Sequence, residues 1–199
     1  KYVTDNYLFT HPISTTIGAD ISDQSDRRKR YNNIRGDRGS KVFDQLESFR
    51  NNAFYFQQSY LLNNKINVIW GSRWDNDKIE SLDYYISDGL GSGFTSLNNT
   101  SPFAGLTYLL NKSMSIYTNY SNHYETPTLN ELSNDPDSLS VGGFNPKLNP
   151  QISNSLEIGS KGYVNNYFYY DVALFRSKID NEITSFELEE SPGKTFYRN

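Results

Sequence analysis

Polar and apolar residues alternate along several stretches of the chain, which is the pattern of a β-strand with two different faces. The clearest stretch covers residues 65–75, with apolar Ile66, Val68, Trp70 and Trp74 on one face and polar Lys65, Asn67, Arg73 and Asp75 on the other. Its length fits a strand that crosses a bilayer at a tilt. Further strands are predicted over residues 2–10, 45–61, 103–110, 114–120, 152–163 and 168–174, and one more ends at residues 27–30.

The segments between these strands alternate in length. Short links at 62–64, 111–113 and 164–166 predict hairpin turns, because their Asn residues tolerate the left-handed backbone of a tight turn. Long loops are predicted at about 31–44, 76–102 and 121–151, and a first turn at residues 11–14. Bacterial outer-membrane barrels have short periplasmic turns and long extracellular loops. The predicted fold class is therefore all-β, with about eight antiparallel strands of a transmembrane β-barrel.

Composition changes this picture little but excludes several functions. Aromatic residues make up 15% of the chain, as expected where rings form girdles at membrane interfaces. The mean hydropathy of −0.70 resembles that of a soluble protein, yet alternating strands average to such values. Cysteine is absent and the two histidines, His11 and His123, are isolated, so we expect no enzyme activity, no metal site and no covalently bound cofactor. A net charge of −4 gives no reason to expect nucleic acid as a partner.

A series of motifs resembles the barrel of TonB-dependent outer-membrane receptors, the family of siderophore and cofactor receptors. Residues 71–75 (GSRWD) close a long alternating strand, and residues 52–58 (NAFYFQQ) resemble the strand before it. Downstream follow 117–121 (YTNYS), 125–132 (ETPTLNEL), 145–150 (NPKLNP), 157–159 (EIG), 173–175 (ALF) and 180–183 (DNEI). Order and spacing agree with the family over residues 45–199, which makes the resemblance specific although each motif alone is weak.

The resemblance implies a protein much larger than this chain. Such receptors are 22-stranded antiparallel barrels around a plug domain, in the outer membrane of Gram-negative bacteria. The expected function is import of a siderophore–iron complex, haem or another cofactor-sized nutrient, energised by the TonB–ExbB–ExbD complex through a TonB box. Residues 1–199 would be the middle-to-late part of the barrel domain, with the plug and TonB box before Lys1 and the last strands after Asn199.

Candidate ligand-binding residues lie on the lumen face and in the predicted loops. Arg73 could contact an anionic ligand or the plug, or form an internal charge pair with Asp75. His123 and Tyr124 lie where a strand leaves the membrane, which suits either ligand contact or an interface position. Rings in the long loops could close over a ligand or pack the loops together, namely Tyr84, Tyr85, Phe94 and Phe144.

The remaining motif residues are expected to shape the structure. Pro127 ends a strand, since it removes a ladder donor. The other positions given a structural role by the resemblance are Gly71, Arg73, Asp75, Glu131, Asn145, Pro146, Pro150, Glu157 and Gly159. The basic run Arg27–Arg30 is expected beside an outer loop, near the phosphates of lipopolysaccharide in the outer leaflet.

Two other functions remain open at this point. A passive porin or adhesin barrel would share the strands but lack the plug and the TonB box. A soluble β-rich carbohydrate-binding module would use Trp70, Trp74 and exposed Tyr residues as sugar platforms, and it would stay in solution without detergent.

Overall fold

A computed structural model describes residues 1–89, 91–137, 143–165 and 167–199. Eight strands form one antiparallel sheet in which each strand pairs with the next along the chain. They are β1 (Tyr2–Leu8), β2 (His11–Ile34), β3 (Asp37–Asn63), β4 (Ile66–Asp83), β5 (Gly93–Asn111), β6 (Met114–Glu125), β7 (Gln151–Val164) and β8 (Phe168–Asp180). A separate hairpin contains β9 (Thr184–Glu187) and β10 (Thr195–Arg198). The large sheet is an open segment, with β1 and β8 at its edges.

Helical structure is limited to two short 3₁₀ turns, Ile86–Asp88 and Glu131–Ser133, within the ranges given above. Among the described residues, no helix is both long and apolar enough to span a membrane.

The short turns are confirmed, and their Asn side chains explain them. The Asn63 carboxamide oxygen accepts hydrogen bonds from the N–H groups of Lys65 (2.8 Å) and Ile66 (2.9 Å). Asn111 accepts from the N–H of Ser113 at 2.8 Å. Asn165 adopts a left-handed φ of 52°, and its neighbour at position 166 lies outside the described residues. The side chains of Asn63 and Asn111 therefore mimic a backbone turn, whereas Asn165 supplies the left-handed backbone of its turn, which is why the sequence marks these positions.

Two of the three predicted long loops are wrong. The segment 31–44 is the top of a hairpin in which β2 and β3 continue to a tight turn at Arg35 and Gly36. The segment 76–102 is also largely strand, and only residues 84–92 connect β4 to β5. The ladder of backbone hydrogen bonds continues where both faces are polar, so the alternation that marks a strand disappears before the strand ends. The third long connection is confirmed, at 126–150.

The first predicted turn is also misplaced. The chain reverses at Phe9 and Thr10, both with positive φ, and residues 11–14 already belong to β2. Proline is frequent in turns, but Pro12 lies within β2. It precedes Ile13, the first residue of β2 that pairs with β3 (Ile13–Tyr60), so its missing N–H removes no backbone hydrogen bond to β3.

The sheet has one apolar and one polar face in its lower half. On β4, Trp74 is 46% exposed on the outer face, whereas the neighbouring Asp75 is 7% exposed on the inner face. Cross-strand pairing extends the outer face through Phe54 and Leu106 to Leu156 and Leu174, all at least 41% exposed. An apolar face of this width on strands of this length is the lipid-facing surface of a membrane barrel.

Three glycines on the inner face make room for aromatic rings on the neighbouring strand. The cross-strand pairs are Gly18–Tyr55, Gly71–Phe103 and Gly159–Tyr117. At each glycine a Cβ atom would come closer than 3.0 Å to the ring. At Gly71 the carbonyl oxygen of Phe56 is closer still to the Cβ position than the ring of Phe103, and backbone cannot move aside as a side chain can. The rings therefore lie across the glycines, so the wall stays thin towards the lumen.

The first prediction concerns Gly71. We expect Gly71→Ala to destabilise the folded barrel by about 1–3 kcal/mol, because the added methyl meets both a ring and a backbone carbonyl. The measurement is the midpoint of heat-induced loss of the compact form of the full receptor on SDS gels. Gly143→Ala is the matched control, since nothing lies within 4 Å of its Cβ position. Equal midpoints for the two variants would contradict the packing argument.

Candidate functional site

The basic run 27–30 lies in the last third of β2, and its side chains point alternately to the two faces of the sheet. We call the end of the sheet that carries the connections 84–92 and 126–150 the loop end. Arg28 and Arg30 line a cavity on the inner face at this end. Arg27, on the other face, pairs with Asp44 (Nε–Oδ1 3.0 Å) and stacks over the Tyr84 ring at 4.7 Å. The expectation that the run ends a strand is wrong, since β2 continues to Ile34. Four consecutive cations are thus divided between two environments.

We call the inner-face space at the loop end the upper cavity. Its volume is about 490 Å³, and four separate segments of the chain build it. The charged and aromatic lining is supplied by Arg28, Arg30 and Phe43 of the β2–β3 hairpin, Tyr85 of the β4–β5 connection, Lys194 just before β10 and Tyr197 within β10, and Asn134 of the 126–150 connection adds an amide.

The charge of the upper cavity is positive. Arg28 is committed to Glu47 at 2.6 Å. Arg30 stacks on the Phe43 ring at 4.2 Å, and within the described ranges neither Arg30 nor Lys194 has a carboxylate at ion-pair distance. Asp83, the acidic residue of the lining, already accepts hydrogen bonds from the N–H groups of Tyr85 (2.8 Å) and Gly91 (3.0 Å). The cavity therefore offers two available cations among aromatic rings, a combination suited to an anionic ligand.

The 126–150 connection begins with a capping arrangement that fixes its shape. The N–H of Thr128 donates to Glu131 Oε2 at 2.7 Å, and the N–H of Glu131 donates back to Thr128 Oγ1 at 3.3 Å. This exchange starts the 3₁₀ turn Glu131–Ser133 and directs Leu132 inwards, where it is fully buried. Pro127 is buried just before it. The ETPTLNEL motif, residues 125–132, thus begins the connection that forms one wall of the upper cavity.

Leu132 belongs to an apolar core that the connection forms on the inner face of β4. The core contains Ile79, Leu132, Phe144 and Leu148, with Phe49, Leu97 and Tyr197 packed against it. Asn145 is buried beside it and donates its N–H to the Leu132 carbonyl at 2.8 Å. The ring of Phe144 therefore packs the connection against the sheet and does not line the upper cavity. Pro146 and Pro150 lie in the same connection.

The β9–β10 hairpin is bound to this connection from the other side. Asn134 Nδ2 donates to the Thr195 carbonyl at 2.8 Å. Asn199 exchanges two hydrogen bonds with the backbone of Asn149, at 2.6 and 3.0 Å. Phe196 of β10 is fully buried. The wall that carries Lys194 is consequently braced by both polar and apolar contacts.

A second space, the lower cavity, brings together three of the residues expected from the sequence: Arg73, His123 and Tyr124. Its volume is about 320 Å³. Above the pair Phe103–Ser121, β6 no longer pairs with β5, and its side chains reach the inner face of β4.

Charges at the lower cavity are largely committed to each other. Arg73 binds Asp75 (Nε, 3.0 Å) and Asp20 (Nη1, 2.6 Å). Asn51 Nδ2 donates to both Asp75 (3.1 Å) and Asp77 (2.7 Å). Arg73 thus serves as the centre of an internal ion-pair network, whereas in the upper cavity Arg30 and Lys194 remain available to a ligand.

The remaining expected residues do not line these cavities. Tyr84 lies under Arg27 on the outer side, although the adjacent Tyr85 lines the upper cavity. Phe94 was expected in a loop but is part of β5, and its ring is 73% exposed on the outer face. Sequence reasoning missed Arg28 and Arg30 as cavity residues, although the period-two rule applied to the basic run would have separated them from Arg27.

Comparison with known proteins identifies the family. The family model described as "TonB dependent receptor-like, beta-barrel" matches residues 1–199. The chain therefore belongs to the β-barrel family of TonB-dependent receptors, which confirms the resemblance found in the sequence. This membership places it in the outer membrane of a Gram-negative bacterium, so the loop end is extracellular.

Solved structures with similar folds come from receptors and transporters. The alcaligin outer membrane receptor FauA from Bordetella pertussis matches 98% of this chain and 31% of its own, with 20% identity and a TM-score of 0.67. The ferric citrate transporter FecA in its unliganded form matches 91% and 26%, with 15% identity and a TM-score of 0.75. The copper transporter OprC matches 99% and 31%, with 15% identity and a TM-score of 0.72. The chain spans about a third of their length or less, and at these identities the likeness concerns the fold.

The second prediction tests whether the apolar core holds the cavity wall. Leu132→Ala should weaken the packing of the 126–150 connection by about 2–5 kcal/mol, since it removes a fully buried side chain. Limited proteolysis of the full receptor should then cleave within 126–150 while the strands stay resistant. Leu156→Ala, on the lipid face, is the control and should leave the connection protected. Protection of 126–150 in both variants would show that the core does not hold the wall.

The third prediction concerns acid. Hydrogen bonds from Arg27, and then from Lys41, lower the pKa of the Asp44 carboxyl from 3.8 to about 2. Because the folded pKa is lowered, the stabilisation is fully present above pH 4 and is lost as the pH falls through 2. Hydrogen-exchange protection of residues 27–46 should stay constant from pH 7 to pH 4 and then decrease. Asp44→Asn should give lower, flat protection over the same range, and a wild-type decrease beginning near pH 6 would contradict this assignment.

Proposed function

We propose that the receptor containing this chain imports a ferric siderophore, or a similar cofactor-sized nutrient, across the outer membrane with energy from TonB. The observation that supports this proposal is the upper cavity, a cationic and aromatic space on the inner face at the extracellular end. Its volume of about 490 Å³ falls in the range that holds small molecules. Import of this kind requires binding and release but no chemistry on the cargo.

The upper cavity favours an anionic cargo. Arg30 and Lys194 are available for charge-assisted hydrogen bonds, and Tyr85, Tyr197 and Phe43 supply flat apolar contacts. The similar structures carry different names: an alcaligin receptor, a ferric citrate transporter and a copper transporter. The fold alone therefore does not select a cargo, and the cations of this chain are what favour an anionic iron chelate over a free metal cation.

The expected site residues take different roles in this proposal. Tyr85 contacts cargo in the upper cavity, and His123 and Tyr124 offer a second contact in the lower cavity. Arg73 and Asp75 hold the lumen wall through their ion pairs. Pro127, Glu131 and Asn145 fold the connection that forms the cavity wall.

Partners follow from the same proposal. The TonB–ExbB–ExbD complex would supply energy through a plug domain and TonB box of the whole receptor. Lipopolysaccharide would contact the outward-facing side chains above the lipid band.

The fourth prediction tests cargo binding. The variant Arg30→Gln/Lys194→Gln should bind its cargo roughly tenfold more weakly for each cation removed, since a hydrogen bond to a charged group contributes about 1.5–3 kcal/mol. Uptake of radiolabelled iron by cells is measured with ferric citrate, a ferric catecholate and a ferric hydroxamate, and growth is measured with haem and cobalamin. Lys65→Gln/Lys112→Gln, at the periplasmic turns, loses the same charge and is the control.

Two results would contradict the proposal. Uptake that continues at the same rate in cells without TonB would indicate passive diffusion through a porin. Uptake that falls equally in the cavity variant and in the turn variant would remove the upper cavity from the binding site.

A further inference from the structure

The upper part of β5 has one edge that no strand of the described chain covers. β5 pairs with β4 along almost its whole length, but it pairs with β6 only up to Phe103–Ser121. Above this pair β6 continues to pair with β7, and its side chains reach the inner face of β4, where Tyr124 lines the lower cavity. The side of β5 that β6 covers lower down is therefore free over residues 94–101. We call this stretch the free edge.

The ladder determines which backbone groups lie on the free edge. The N–H of Leu109 donates to the carbonyl of Lys65, on the β4 side, at 2.8 Å. The β4–β5 register has no shift from Ile66–Tyr108 to Ser81–Gly93, so odd-numbered residues of β5 bond to β4 and even-numbered residues point to the other side. Within the described ranges, four residues of the free edge thus have N–H and C=O groups that bond to no other backbone group: Phe94, Ser96, Asn98 and Thr100.

Pro102 explains why the β5–β6 ladder stops where it does. It is the next even-numbered residue above Ala104, which pairs with Tyr120. Since proline has no N–H, Pro102 cannot donate the hydrogen bond that a pair with Asn122 would need. The separation of β6 from β5 is thus set at a fixed point of the sequence, and the free edge is a built feature of the wall.

The free edge lacks the features that normally prevent a strand from pairing with another chain. Exposed edges are usually blunted by charged side chains, prolines or bulges. Residues 94–101 have the sequence FTSLNNTS, without charge or proline, and the β4–β5 register shows no bulge there. Phe94 adds a ring that is 73% exposed on the outer face. The edge is regular, neutral and accessible, which favours the addition of a further strand.

The position and the spacing of these groups define the chemistry of a partner. Donors and acceptors recur about every 6.7 Å along the edge, a spacing that an extended polypeptide backbone matches. Thr100 pairs with Trp74 on the lipid-facing surface, and Phe94 lies about 15 Å above it at about 3.3 Å per residue and a tilt near 40°. The side chains of β4 that face outwards over this rise are polar, namely Asn76, Lys78 and Glu80. A partner therefore reaches the edge through water on the extracellular side.

We propose that the free edge of β5 is a docking site for an extended segment of an extracellular polypeptide, which adds to the sheet as a further strand. The site takes a single strand, because β6 occupies the same side of β5 from Ser121 downwards. A partner residue opposite Phe94 faces outwards as Phe94 does, so an apolar side chain there gains a contact with the ring. The inference is independent of the cargo and rests only on the extracellular position of the loop end.

Hydrogen exchange at single-residue resolution on the full receptor tests whether the edge is free. The N–H groups of Leu97 and Asn99 bond to β4 and should exchange slowly, whereas those of Ser96 and Asn98 should exchange rapidly. Equal protection of all four would show that another part of the receptor covers the edge, and this result would overturn the proposal.

Strand addition is tested with a labelled peptide that copies residues 93–101 (GFTSLNNTS). This sequence pairs with itself in an antiparallel register that places Phe94 of one copy opposite Thr100 of the other. Two N-methylated forms of the peptide are titrated against the purified receptor, one methylated at the even-numbered and one at the odd-numbered residues. An added strand presents only every second N–H to its neighbour, so one form should lose binding and the other should keep it. Loss in both forms, or in neither, would overturn the proposal.

Two variants of the receptor locate the contact at the backbone of β5. Asn98→Pro removes one N–H from the free edge and Asn98→Ala keeps it, while both lose the carboxamide that accepts from Asn76 Nδ2 at 2.6 Å. The proline variant should bind the unmethylated peptide roughly fivefold more weakly than the alanine variant, because one backbone hydrogen bond is lost. Equal binding by the two variants, or no binding of the peptide to the wild type, would contradict the proposal.

Iron uptake separates this site from the cargo site. Both variants should take up iron normally, because Asn98 lines neither the upper nor the lower cavity. Loss of uptake in the proline variant alone would assign the edge to the path of the cargo instead. Resistance to SDS at room temperature confirms that both variants are folded.

Discussion

Backbone N–H and C=O groups in the hydrocarbon layer must find partners within the protein, and the rest of this structure depends on that constraint. Strands β2 to β7 each pair with a neighbour on both sides, so the requirement is met by the ladder itself. Continuous pairing also fixes which side chains face outwards along each strand. The strands extend well beyond the bilayer with this order intact, so the same rule that separates lipid from lumen places Arg27 and Lys29 on the outer face and Arg28 and Arg30 at the upper cavity.

Outside the membrane, the connection between β6 and β7 is stabilised by side-chain packing. The described residues of the connection, 126–137 and 143–150, form no strand, and the connection gains stability from the core of Ile79, Leu132, Phe144 and Leu148 on the inner face of β4. Capping of the 3₁₀ turn by Thr128 and Glu131 directs the side chain of Leu132 into this core. Because the β9–β10 hairpin packs on this same connection, the position of Lys194 in the cavity depends on contacts far from it in sequence.

The lower half of the fold could be predicted from the sequence because lipid on one side imposes alternation, as at Trp70 and Trp74. Asn63 and Asn111 marked their turns through hydrogen bonds within three residues. The upper strands could not be predicted, since polar residues such as Asn32 and Asn76 interrupt the alternation of apolar and polar positions there. The upper cavity could not be predicted from the sequence either. Arg30 and Lys194 come together only through tertiary packing. Nothing in the local sequence distinguishes Tyr85, which lines the cavity, from Tyr84, which lies outside it.

The register of β2, more than the composition of the basic run 27–30, determines which face of the sheet each cation occupies. A shift of β2 by one residue would place Arg28 and Arg30 outside and turn Arg27 and Lys29 towards the lumen. Such a shift would also move Ala19 away from Phe54 on the lipid face and separate Gly18 from the ring of Tyr55. The membrane half of the strand therefore fixes the register of the hairpin that extends above it. Contacts in the membrane part of β2 thus decide which cations of the basic run face the upper cavity and which face outwards.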